Sequence, residues 1–138
     1  MPLDLSSLQQ AIDALARSLR VAQATAQMDA DLQETVRAGV IQNFEVAYEL
    51  SWKFIQRWLR ENRVAPEADF PRTRKDLFRL AAREGLIGDP IPWFAYGDGR
   101  NLTAHTYDLS QVLLAYQTAV RFPDDARDLF ARLTERND

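Results

Sequence analysis

The stretch GVIQNFEVAYELSWKFIQRWL, residues 39–59, repeats its apolar side chains at helical spacing without a break. Val40, Phe44, Ala47, Tyr48, Ser51, Ile55, Trp58 and Leu59 fall on one wide face at about 100° per residue. Val46, Leu50 and Phe54 form a second stripe, and Lys53, Arg57 and Arg60 share the remaining polar arc with Glu45, Glu49 and Gln56. This helix is expected over residues 31–62, opened by a capping box from Asp31 to Glu34. A helix apolar on two sides either lies deep in a bundle or faces both a core and a partner chain. Both accounts stand at this point: a deeper core, or a homodimer seam at Val46, Leu50 and Phe54.

The rest of the chain follows the same period, and no alternating β-branched run competes with it. A first helix is expected over residues 4–27, with Leu5, Leu8, Ile12, Leu15 and Leu19 on one stripe. RVAPEADFP is a loop, TRKDLFRLAAREGLI a third helix stopped by Gly85, and GDPIP a turn before a segment over residues 93–107. Residues 109–121 are expected to form another helix, with Val112, Leu113, Tyr116 and Val120 inward, and Pro123 to begin the last. The expectation is an all-α chain: one domain over residues 1–138, an antiparallel bundle of about five or six helices.

Composition narrows the chemistry. With no cysteine and one histidine there is no disulfide, thiolate nucleophile or multi-histidine metal centre, and no cofactor or metal is expected. The N-terminus lacks a signal-peptide pattern, and no apolar run approaches the roughly 18 residues of a membrane span, so a cytoplasmic protein without membrane partners is expected. Residues 52–83 carry nine basic and four acidic side chains, whereas the segments on either side are both net acidic. A basic middle of this kind either attracts phosphate or an acidic partner, or is a solvated pair of helix faces. Asp29 and Asp31 make a DxD pair, but without the glycine-serine turn of a nucleotidyltransferase they read as helix caps. Trp52, Trp58 and Trp93 read as core rather than base-stacking platforms.

The single histidine lies in GRNLTAHTYD, residues 99–108. On a helix, Asn101 and His105 share a face, while Arg100 and Tyr107 share an adjoining one. A fixed cation, an amide, a titratable base and a phenol then cluster, which suits metal-free cleavage of RNA. Histidine can take or give the proton as a 2′-hydroxyl attacks the neighbouring phosphate, and the arginine fork can stabilise the phosphoryl oxygens. One histidine does not serve comfortably as both base and acid, so two copies of the motif meeting in a dimer would supply the second group. A packed or capping histidine is the competing account. Gly97 and Gly99 are expected to weaken a helix here, which could then begin at Asp98 as N-cap and bind phosphate through first-turn amides.

RNLTAHTY, residues 100–107, resembles the Arg-x4-His-x-Tyr signature of the HEPN superfamily (higher eukaryotes and prokaryotes nucleotide-binding). Residues 39–59, RKDLFRLAAREGLI and the Trp93 segment resemble, in the same order, its prokaryotic branch called nucleotidyltransferase substrate-binding proteins. The resemblance implies an up-and-down four-helix core with extra short helices, a homodimer, and a partner that is a minimal nucleotidyltransferase. It also implies a HepT-like toxin acting as a metal-independent endoribonuclease on RNA rather than DNA, with Arg100 and His105 catalytic and Asn101 in support. The partner, as antitoxin, would transfer AMP to Tyr107. The branch's older name implies an alternative, a non-catalytic subunit that binds substrate or nucleotide for the transferase. The approach YGDGRN departs from the family's usual run in carrying paired glycines.

Overall fold

The computed structural model describes residues 2–105 and 108–137, with the side chains of residues 103–105 outside the described part. Its helices are α1 (Ser6–Ala24), α2 (Ala30–Glu61), α3 (Arg74–Arg83), α4 (Ile91–His105) and α5 (Leu109–Glu135), with a 3-10 turn at Glu67–Asp69. Among the described residues there is no strand, as the periodicity requires.

α2, about 48 Å long at 1.5 Å per residue, packs on all four other helices. That answers why it is apolar on more than one side. Val40, Phe44, Ala47, Tyr48, Ser51, Ile55 and Leu59 are buried as the first stripe predicts, and Trp58 is half-buried. The second stripe does not form one seam. Phe54 is buried in this chain's own core, Leu50 packs partly against it, and only Val46 is exposed.

The start of α2 also differs from the capping-box expectation. Asp29 occupies the N-cap without a side-chain cap bond, and Asp31 sits inside the first turn, where its charge suits the helix dipole. Gln33 ties the α1–α2 turn instead, its amide donating to the carbonyls of Ala26 and Met28 at 2.9 and 2.6 Å. α3 begins behind Thr73, whose hydroxyl accepts the Asp76 amide at 3.1 Å. It ends at Gly85, whose φ of 81° is the left-handed stop expected there.

α5 corrects the reading of Pro123 as a helix start. The helix runs through it, because Ala115, Ala119, Phe122, Ala126, Leu129 and Leu133 are spaced four and three apart and all buried. One missing backbone donor does not outweigh six inward residues on a single stripe. The inward face is therefore a turn away from the one expected. Leu113 and Val120 are exposed, and Val112 and Tyr116 half-buried. Phe122 is the hub of the core, with ring centroids 5.3 Å from Phe44, 6.2 Å from Tyr48, 5.5 Å from Trp93 and 5.0 Å from Tyr96, all edge-on.

Candidate functional site

α4 carries the motif, and its first half fixes where the motif lies. Asp89 accepts the Ile91 amide at 2.9 Å and starts the helix. Trp93 and Tyr96, one turn apart, are both buried against Phe122. The Tyr96 hydroxyl donates to Asp125 of α5; burial, and then this bond, push its phenol up, so it remains a donor.

Next come the paired glycines, and they do not break the helix. A Cβ at Gly97 would lie 2.8 Å from the Tyr48 hydroxyl oxygen of α2. A Cβ at Gly99 would lie 2.7–2.9 Å from three side-chain atoms of Thr118 on α5. Each glycine costs about 1 kcal/mol of helix propensity and in return lets α4 nest in the angle between α2 and α5. The helix starts at Ile91, not at Asp98, so first-turn amides at Arg100 and Asn101 are ruled out as a phosphate site.

Arg100 emerges one residue past the second glycine, three-quarters buried. Its guanidinium lies between two carboxylates of α2, with Nη1 3.5 Å from Glu45 Oε2 and Nε 3.5 Å from Glu49 Oε1. Glu49 is itself held: it accepts the Trp52 indole N–H at 3.0 Å and lies 3.8 Å from Arg74. Arg74 stacks over the rings of Trp52 and Tyr48 at 4.5 and 5.6 Å. Two carboxylates thus set the direction of the arginine fork, which flexible solvent contacts would leave undefined.

Sequence reasoning grouped Glu45 and Glu49 with the basic arc of α2 and missed this role. Those cations turn elsewhere, Lys53 over Trp52, Arg57 over Phe54 and Arg60 over Phe70. The available signal was an acid pair four residues apart inside an apolar run.

Asn101 is exposed beside Arg100, and the backbone of α4 continues to His105, four residues on. The His105 side chain and Tyr107 lie outside the described residues. Asp108 starts α5, its carboxylate accepting the Ser110 amide at 3.0 Å. The motif therefore spans the α4–α5 junction, with Arg100 and Asn101 in the last turns of one helix.

A groove of about 320 Å³ opens next to Asn101, between the start of α3 and the middle of α4. Tyr48 and Trp93 lie at its floor, Arg74, Lys75 and Arg79 along one wall, and Phe94 and Asn101 along the other. Tyr48 is fully buried and, among the described residues, its hydroxyl finds no hydrogen-bond partner. Burial pushes that phenol up, and the nearby Arg74 offsets the shift only in part.

Comparison with known proteins gives a family, a relative and two solved structures. Residues 3–135 match the family described as nucleotidyltransferase substrate binding protein like. A Haemophilus influenzae protein named "Probable ribonuclease HepT" is 40% identical over 106 residues, covering 77% of this chain and 73% of that one. Among solved structures, a Haemophilus influenzae protein described as having the fold of a substrate binding domain of a nucleotidyltransferase superposes with a TM-score of 0.86. It is 33% identical, over 95% of this chain and 99% of that one. A tri-AMPylated Shewanella oneidensis HEPN toxin, solved in complex with its MNT antitoxin, superposes with a TM-score of 0.72 over 95% and 93% of the chains; at 15% identity that likeness speaks to the fold.

Proposed function

Since this chain belongs to the nucleotidyltransferase substrate binding protein like family, in the HepT-like group of HEPN proteins, we propose that it is a toxin of a toxin–antitoxin pair. Its activity is metal-independent cleavage of RNA. The observation that carries this reading is the Glu45–Arg100–Glu49 arrangement, in which two carboxylates of α2 flank the arginine of α4, the helix that also bears Asn101 and His105. A guanidinium three-quarters buried between two carboxylates that are themselves largely buried loses hydration on all three charges, a cost that a task at this position would account for.

In the proposed reaction the RNA 2′-oxygen bonds to phosphorus as the bond from phosphorus to the 5′-oxygen breaks, leaving a 2′,3′-cyclic phosphate and a free 5′-hydroxyl. The Arg100 fork neutralises charge on the non-bridging oxygens, and the Asn101 amide orients the phosphate from its side. The His105 of one copy takes the 2′-hydroxyl proton, and the His105 of a second copy gives one to the departing oxygen. A homodimer is part of this reading. The exposed apolar side chains Val46, Leu113, Leu114 and Val120 support it, being surface that a second copy would cover.

The partner is a minimal nucleotidyltransferase acting as antitoxin, which transfers AMP from ATP to the Tyr107 hydroxyl with release of pyrophosphate. The adduct adds a phosphate and a purine seven residues along the chain from Arg100, and its charge would compete for the cation and block RNA. Tyr107→Phe, incubated with the partner and ATP, is expected to gain no AMP by mass spectrometry and to keep cutting RNA, while wild type gains AMP and stops.

Glu49→Gln tests the aiming of Arg100. Cleavage is expected to fall about tenfold through misplacement of the fork, with stability changed by no more than about 1 kcal/mol. Unchanged cleavage would remove the carboxylate pair from the reading. The central experiment is incubation of AMP-free protein with total cellular RNA in EDTA. Cleavage supports the ribonuclease. Complex formation with the transferase and no cleavage would favour a non-catalytic substrate-binding subunit instead, in keeping with the Haemophilus influenzae structure described as having the fold of a substrate binding domain of a nucleotidyltransferase.

A further inference from the structure

We propose that the groove between the start of α3 and the middle of α4 is a nucleotide subsite for single-stranded RNA, seating the nucleotide beside the one whose phosphate Arg100 serves. The proposal rests on RNA being the ligand, as the ribonuclease reading has it, but on different residues.

Three observations place a nucleotide there. The first is charge. Lys75 and Arg74 stand at the mouth, and Asp76, the acid next to them, is engaged by Arg79 at 2.8 Å. α3 is ten residues long, and Thr73 caps only its Asp76 amide, which leaves those of Arg74 and Lys75 for a phosphate oxygen.

The second is an aromatic wall. Phe94 is half-buried, with Lys75 Nζ 5.7 Å and the Arg79 guanidinium 5.1 Å from its ring centre. Ring and guanidinium planes of this kind are the surfaces on which unpaired bases stack.

The third is the Tyr48 hydroxyl, which is buried at the groove floor and without a hydrogen-bond partner among the described residues. Leaving a buried hydroxyl unsatisfied is unfavourable, and this one lies against Gly97, which lines the groove with it. A ribose hydroxyl or base edge entering over Gly97 would supply the missing partner.

The groove is also wired to the motif. Asn101 lines it directly, and Arg74 reaches Arg100 through Glu49, which pairs with both. Asp98 also lines the groove, and its carboxylate, an acceptor, favours a base edge with exposed amino groups at that side.

The test measures binding of a fluorescein-labelled, fully 2′-O-methylated 12-nucleotide RNA by anisotropy in EDTA, across a salt series, with the full chain. Lys75→Glu is expected to weaken binding about tenfold or more, and Lys75→Ala to lower the salt slope by about one. Phe94→Leu should weaken it roughly tenfold by loss of stacking, and Tyr48→Phe about threefold to tenfold. Arg17→Glu is the control of equal charge change, since α1 packs on α2 and α5 but on neither α3 nor α4; its binding should follow the general charge effect alone.

Equal weakening by Lys75→Glu and Arg17→Glu, with Phe94→Leu and Tyr48→Phe like wild type, overturns the groove. The ribonuclease reading then stands or falls on whether wild type cuts unmodified RNA. Groove variants that bind weakly beside a wild type that binds but never cuts keep the subsite and remove the ribonuclease. A wild type that does not bind RNA at all overturns both.

Discussion

His105→Ala and Arg100→Ala are each expected to lose RNA cleavage in EDTA by about 10²–10⁴-fold. A positioned general acid or base contributes on that scale, and so does a preorganised donor aimed at charge that develops in the transition state. The two losses should not add, because in the proposed reaction the groups act in one step on one phosphate. Arg100→Lys is expected to rescue little. An ammonium cannot span Glu45 and Glu49 as the guanidinium does, with separate nitrogens 3.5 Å from each. Asn101→Ala should cost less, about tenfold, as befits an exposed amide in support. The comparison is made by gel or fluorescence assay on AMP-free protein. Equal cleavage by wild type and both alanine variants would mean that the activity comes from elsewhere, and the reading of the motif would fail.

Phe122→Ala carries the largest expected effect on stability, about 3–5 kcal/mol. The ring touches four other aromatic rings drawn from α2 and α4, so its removal leaves a cavity that no single neighbour can fill. For a chain of this length that loss should lower Tm by more than about 10 °C. Trp93 and Tyr96, which hold α4 in place, both lean on this ring, so residual folded protein should also cut RNA less well than its folded fraction predicts. Chemical denaturation followed by circular dichroism gives the free energy directly. A cost below about 1 kcal/mol would show that the core closes around the gap, and would weaken the account of Phe122 as its hub.

The all-helical architecture was legible because periodicity reports burial, and α2 shows it best: seven of the eight residues on its expected inner face are buried and the eighth half-buried. α5 was misread for the converse reason. Its inner face is built on Ala115, Ala119 and Ala126, residues too small to announce themselves beside Val112, Leu113 and Val120. Pro123 looked like a boundary because local propensity was weighed without the packing that overrides it. At the candidate site, Arg100 and Asn101 were singled out from spacing and resemblance, whereas Glu45, Glu49 and Arg74 were not. Their partners lie on other helices, and which helices cross where is information a single chain does not spell out. The paired glycines gave the clearest reversal: read as a weakness of the helix, they prove to be the places where it touches its neighbours.

Those two contacts make α4 behave like a keyed shaft. Tyr48 fits only against position 97 and Thr118 only against position 99. Sliding or rotating the helix by one residue would drive a side chain into each. No small screw motion of α4 is then available as an on–off device, because both keys would have to be withdrawn at once. On the proposed function, silencing would fall to agents that fill or cover the surface, a covalent adduct or a bound subunit, and these would leave the helix register untouched. The corollary for protein engineering is that a larger residue at position 99 would jam the shaft, and that trimming Thr118 to glycine, which removes its Cβ as well, should free it again.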